Sequence, residues 1–578
     1  MSAYSSRPIL VALNWLGFSV CVLLLLVAGL SPERIARGEI ADRVGGAAPL
    51  SSGAAYLWHT FFGSSGYDYG QDLSIDASGN IYVVGKSTAT WGAPLHAHSG
   101  GEDILVMKLD SNGAYQWHTF YGGSGDEGGT DLVFDSAGNL YVTGTGTATW
   151  GAPLHAYTSS EDAFVLKLTG SGAYQWHTFY GGNWSDYGNA IAVDSHDDVY
   201  IVGMSDTAWG APLHAHTGYS YDLYALKLNA AGAYQWHTFY GSTSRDYAQG
   251  LAIDSGDNLF VAGQSLGTWG TPLNAHAGSD DLLLLKLAST GAYQWHTFQG
   301  GNQSDGANDI AVNENGLYVT GFANSSWGVP RDFFTSIMNV VVLKFDLTGA
   351  YQWHTYYGNF MESGAALALD DDSNVYVTGQ ARSGWGHPRQ AYNGQSDIYV
   401  LKLNPAGEHQ WHTFYGSSNE EYGAGIAIDS AQRIVTTAYG NTTWGTPLNA
   451  HSGNMDGAVV KFEPDLPATT IRLSISANPA TTSQTITFTA EVSPIIGTAA
   501  LTGTVYFRID DFDLNPFGTP MADGRVEWSA VINNWATGEH LLSAAYAGNQ
   551  AYSSSTSPET RFHLWTQVLK GYLPVVLK

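Results

Sequence analysis

The chain has 578 residues, 51 acidic and 23 basic, for a formal charge of −28. Affinity for nucleic acid rests on Lys and Arg neutralising phosphates, so this balance argues against a nucleic-acid partner and suits a soluble extracellular protein. Cys21 is the single cysteine, which excludes an intramolecular disulfide and Cys-based zinc sites.

Residues 1–45 come first. Arg7 precedes an apolar run from Ile9 to Leu30, closed by Ser31-Pro32-Glu33-Arg34. This reads as a signal peptide with a long apolar region, or as an uncleaved membrane anchor, since the run is long enough to span a bilayer. Cys21 lies inside the run after Phe18-Ser19-Val20, a poor lipoprotein attachment box.

From about residue 52 the chain repeats. Trp-His-Thr begins at Trp58, Trp117, Trp176, Trp236, Trp295, Trp353 and Trp411, at intervals of 58 to 60 residues. A fixed period of this size marks copies of one supersecondary unit. One copy carries Leu132-Val133-Phe134, a turn at Ser136-Ala137-Gly138-Asn139, and Leu140-Tyr141-Val142-Thr143-Gly144. A longer loop holds Trp150-Gly151-Ala152-Pro153. Ala163 to Leu168, a turn at Thr169-Gly170-Ser171-Gly172, and Tyr174 to Tyr180 follow. These are four short strands, A to D, rich in β-branched and aromatic residues and with no helical period. Seven such copies predict an all-β, seven-bladed β-propeller over residues 52–464. The first copy supplies only a D-type strand, 55–62, and the last ends on a C-type strand, 457–462. The leading strand is therefore expected to complete the last blade.

The pattern Ile191-Ala192-Val193-Asp194, Asn139-Leu140-Tyr141-Val142-Thr143-Gly144 and Asp162 to Leu168 resembles the bacterial seven-bladed β-propeller (SBBP) repeat family. The resemblance implies an exported, secreted or surface-exposed bacterial protein and carries no family-wide catalytic residues. Trp is followed by His, so the WD40 signature is absent.

Pro464, Pro467 and Ala468 form a linker. Short alternating strands then predict a β-sandwich over 465–563. Asn478-Pro479-Ala480-Thr481 and Tyr546-Ala547-Gly548-Asn549 resemble bacterial Ig-like domains, which implies a spacer or adhesion module. The apolar tail, 564–578, reads as packing on the sandwich or as a sorting signal.

Several candidate sites repeat in every blade. A carboxylate lies five residues before the first apolar residue of each A strand: Asp68, Glu127, Asp186, Asp246, Asp305, Glu362 and Glu421. A ring of oxygen ligands at the channel entrance suggests calcium, the only cofactor these residues suggest. The other reading is that each accepts backbone N–H bonds in its own Gly-rich loop. A need repeated in every blade favours the second. The Trp-His pairs point to opposite strand faces and read as packing and hydrogen-bonding elements. Seven strand C lysines, Lys108 among them, share a face with apolar residues and call for an inter-blade ion pair. His96-Ala97-His98 and His214-Ala215-His216 hint weakly at metal.

Two features point to a ligand. The loop Trp residues, among them Trp327 and Trp385, are each followed by Gly-x-Pro; they read first as anchors that fold the loop, and second, if exposed, as rings that could stack on sugars. Symmetry also breaks where Arg331 and Arg389 replace the Leu of five other copies, with Asp332, Phe333 and Phe334 beside Arg331. An acidic or glycan ligand is expected there. The leading expectation is an exported, monomeric, non-catalytic binding or scaffold platform for an extracellular glycan or protein. The alternatives are a carbohydrate-binding lectin and a polysaccharide hydrolase or lyase.

Overall fold

The computed structural model describes residues 56–565 apart from 387, 464–468, 495–500 and single residues or short stretches between 511 and 554. The N-terminal segment, read from sequence as a signal peptide or anchor, and the tail from 566 lie outside the described residues. Among the described residues there is no helix, and hence none long and apolar enough to cross a membrane.

Seven four-stranded antiparallel sheets follow one another as propeller blades. Their A strands are Asp68–Ile75, Glu127–Phe134, Asp186–Val193, Asp246–Ile253, Asp305–Asn313, Ser363–Leu369 and Glu421–Ile428. Blades 1 to 6 take A, B, C and D in chain order. The seventh sheet joins Glu421–Ile428, Ile434–Gly440 and Asp456–Phe462 to the leading strand Tyr56–Phe62, with His59 opposite Val460 and Phe61 opposite Ala458. Each A strand packs on the next one, and Glu421–Ile428 packs on Asp68–Ile75.

The apolar runs of the B and C strands have a direct physical reason. In blade 2, every residue of Ala163–Leu166 is buried, as is every residue of Leu140–Thr143. Both faces are covered by neighbouring blades, so apolar side chains are favoured at consecutive positions rather than alternate ones. Each A strand carries a bulge, between Gly188 and Ala190 in blade 3, which turns one backbone N–H away from its own sheet. The outer D strand is an edge. The B–C loop returns to cover it: Leu154 N–H donates to His177 O at 2.9 Å, and Phe179 N–H to His155 O at 3.1 Å.

The C-terminal domain packs two sheets. Thr469–Ile475, Thr485–Pro494 and Arg525–Val531 form one, while Gly503–Ile509, Gly538–Tyr546 and Thr560–Trp565 belong to the other. Ile486, Phe488, Val505, Phe507, Leu542 and Phe562 fill the space between. The last strand runs to Trp565, two residues into the segment read from sequence as tail.

Candidate functional site

The repeated Trp-His-Thr histidine closes a clamp. In blade 2, His177 Nδ1 accepts the Tyr174 hydroxyl at 2.9 Å, and Nε2–H donates to the Trp150 carbonyl at 2.9 Å. The Trp150 indole stacks on the imidazole, ring centroids 3.5 Å apart. Gly151 follows at φ +52°, and a Cβ there would lie 3.2 Å from His177 Cε1. This accounts for Trp-His-Thr and Trp-Gly-x-Pro together. It also corrects the lectin expectation: Trp327 and Trp385 lie stacked on His354 and His412 at 3.8 Å, and Trp385 is only 8% exposed. The Trp385 ring is thereby withdrawn from solvent, and the half-buried Trp327 has one face covered. The His-Ala-His nitrogens bind backbone carbonyls instead, His96 at Phe120 O and His98 at Ser87 O.

The seven loop carboxylates are buried, each in its own D–A loop. Asp68 accepts Ser64 N–H at 2.7 Å, Asp186 accepts Gly182 N–H at 2.7 Å, and Asp246 accepts Ser242 N–H at 2.7 Å. Glu127 accepts Gly123 N–H, Asp305 accepts Gly301 N–H and Glu421 accepts Ser417 N–H, each at 2.7 Å. Glu362 accepts two, from Asn359 and Phe360, at 2.8 Å. Opposite each stands the first residue of the preceding blade's C strand. A Cβ on Gly122 would lie 2.5 Å from Asp103 Oδ1 and 2.8 Å from Glu127 Oε2, so the glycine backbone sits against both carboxylates. Burial, reinforced by the facing carboxylate, pushes Glu127, Asp186, Asp305 and Asp397 up to about 7 and Asp246 to about 6. Calcium takes six to eight oxygens. Here loop N–H groups supply a partner to one oxygen of each loop carboxylate, while Asp186 Oδ1, Asp305 Oδ1 and the facing Asp162 Oδ1 and Asp281 Oδ1 are buried without one among the described residues.

The strand C lysines correct another expectation. Lys167 pairs with Asp135 of its own blade at 3.2 Å and donates to Ala230 O of the next blade at 3.2 Å. The ion pair is within the blade; the inter-blade link goes to a carbonyl. In blade 5, Asn313 stands where this Asp would be.

Comparing only residues shared by all blades misses a set facing one another across the A strands. Four residues after the loop carboxylate, Asp72, Asp131 and Asp309 replace the Ala or Gly of Ala190, Gly250, Ala366 and Gly425. Asp131 accepts Leu132 N–H at 2.6 Å and Ile191 N–H of the next blade at 2.8 Å. Asp309 likewise accepts Ile310 and Leu367 N–H, both at 2.7 Å. Asp72 neighbours Asp131; burial first, then this neighbour, raise its pKa well above the carboxylate range. Burial pushes Asp309 up to about 7. The legible signal was a carboxylate at a strand position otherwise held by Ala or Gly.

The Arg331 and Arg389 guanidiniums lie over Trp353 and Trp411, 5.6 and 4.1 Å from the ring centroids, where Leu side chains lie in other blades. Asp332 accepts the Tyr357 hydroxyl at 2.8 Å. Phe334 packs edge-on against Tyr356, whereas Phe333 stands out in solvent. Arg331, Asp332 and Phe333 lie together on the blade 5 B–C loop beside the following D–A loop, while Arg389 lies in the corresponding loop of blade 6.

A family model described as "Beta-propeller repeat" matches residues 57–90 and 175–208, and one described as "Bacterial Ig-like domain (group 3)" matches 473–564. The chain therefore carries SBBP-type β-propeller repeats followed by a bacterial Ig-like domain. It is similar to an uncharacterized WD repeat-containing protein of Acanthamoeba polyphaga mimivirus, 22% identical over 477 residues, covering 68% of this chain. It spans 31% of that relative's length. Among solved structures it is similar to the WD40 β-propeller domain of Doa1, at 11% identity and TM-score 0.40, covering 72% of this chain and 98% of that one. The Neurospora crassa Pan2 WD40 domain matches at 10% identity and TM-score 0.32, covering 58% of this chain and 89% of that one.

Proposed function

We propose that the seven sheets make one closed, seven-bladed propeller, and that the protein is exported and acts without catalysis as a binding or scaffold platform, with the Ig-like domain as spacer. One observation carries this reading. The polar residues common to the blades are engaged in bonds that hold the blades, while blade 5 diverges into exposed side chains. Repeated groups serve the scaffold; the divergent surface is free to serve a partner. Fractionation of cells producing the full chain, with protease added outside, tests export: the propeller should be cleaved on intact cells or found in the medium. Retention in the cytoplasm would remove that part of the reading.

A polysaccharide hydrolase or lyase is the second reading, and the neighbouring carboxylates Asp72 and Asp131, with Asp72 held well above the usual carboxylate range, favour it. Incubation with a panel of acidic and neutral polysaccharides tests it. Turnover that disappears in Asp131→Asn would replace the non-catalytic reading.

A further inference from the structure

We infer that the blade 5 loops are a docking surface for an apolar peptide segment bearing a carboxylate, which Arg331 pairs. The inference rests on the platform reading and names its ligand class. Val329 is 90% exposed, Phe333 79%, Ile337 57% and Phe360 45%. At the position of Phe333 the other six copies all have Ala, such as Ala97 and Ala156, and at Arg331 five have Leu. Neither Phe333 nor the charge of Arg331 is therefore needed to build a blade. The two loops are also stitched together. Thr335 Oγ1–H donates to Gly358 O at 2.6 Å, Ser336 Oγ–H to Phe360 O at 2.9 Å, and Met338 N–H to Phe360 O at 3.2 Å. An exposed apolar surface held in place in advance costs little ordering when a partner arrives.

The chemistry of the partner follows from which polar groups remain free. Thr335, Ser336 and Asp332 have spent their side chains on internal bonds. A sugar would need such groups for its hydroxyls. Among the described residues, the Arg331 side chain makes no hydrogen bond or ion pair, and its stacking on Trp353 leaves the N–H edge open. A guanidinium edge fits a carboxylate with two parallel hydrogen bonds. Three of the five propeller arginines, Arg331, Arg382 and Arg389, lie in blades 5 and 6. A charge of −28 disfavours an anionic membrane or a second copy. One carboxylate on an apolar peptide meets both the surface and the charge.

The test uses the full chain and an array of synthetic nine-residue peptides with alternating apolar residues. One series carries Asp or Glu, and the other carries Asn or Gln in their place. The acidic series should bind more tightly by about tenfold. Phe333→Ala with Ile337→Ser, at exposed positions where other blades carry Ala and Ser, should weaken that binding by at least about tenfold. Arg331→Leu, the residue of five other blades, should erase the acidic preference while keeping the thermal unfolding midpoint. Peptides whose binding ignores all three substitutions would overturn the inference and leave the platform reading standing. So would a glycan, a vesicle of anionic lipid or self-association seen by sedimentation, if the same variants abolished it. An array with no peptide bound overturns the peptide class, while export and turnover still decide the platform reading on their own.

Discussion

His177 shows how one side chain can tie together strands and loop between residues 150 and 177. Its ring accepts from Tyr174, donates to Trp150 and carries the Trp150 indole on its face. Gly151 must then turn at φ +52° directly above the ring, a conformation that costs an L-residue about 1–2 kcal/mol. Gly151→Ala adds a close approach to His177 Cε1, whereas Gly138, at φ +75°, has nothing within 4 Å of an added Cβ. Thermal unfolding should therefore show Gly151→Ala more destabilising than Gly138→Ala, with both below the parent. Equal losses would mean that the imidazole contact contributes nothing.

At the scale of elements, the strand ends and blade junctions set the pH dependence. Asp186, Asp305 and Asp397 titrate near 7 in the fold, against about 4 when unfolded. Between those values the folded state holds more protons, so stability falls as pH rises through about 7. The buried histidines act in the opposite direction. Burial lowers His59, His177 and His354 to about 4, so below about 6.5 the unfolded chain takes up protons that the fold refuses. Between about pH 4.5 and 6 the two sets oppose each other, and above about 6.5 only the carboxylates still change, so the unfolding midpoint should be lower at pH 8 than at pH 6. A midpoint rising steadily to pH 8 would mean that the junction carboxylates are not desolvated as described.

At the scale of the whole molecule, the leading strand carries the proposed closure. Thr60 lies opposite Val459, while Phe61 N–H points the other way, to Asn449 O. Thr60 N–H therefore belongs to the ladder, and Thr60→Pro, which removes that bond and leaves its acceptor unpaired, should lower stability in thermal unfolding by about 1–3 kcal/mol. A chain beginning at residue 63 leaves Asp456–Phe462 as an open edge and should aggregate on heating, read by light scattering. Cooperative unfolding of that truncated chain with an unchanged midpoint would sink the closure.

The repeat period, the four strands of each copy, the offset of the first strand and the switch to an Ig-like domain were legible in the chain. All are carried by local apolar patterning and by the order of segments. The symmetry break at Arg331 and Phe333 was legible for the same reason, since aligned copies expose any departure. Contact and exposure were not. Asp135 rather than another blade's carboxylate meets Lys167, Asp72 meets Asp131 from the adjoining blade, and stacking on histidine covers a face of the loop Trp rings. These depend on how separate strands of one blade, or units about 60 residues apart, lie against one another, and a residue's own neighbours in sequence hold no record of that.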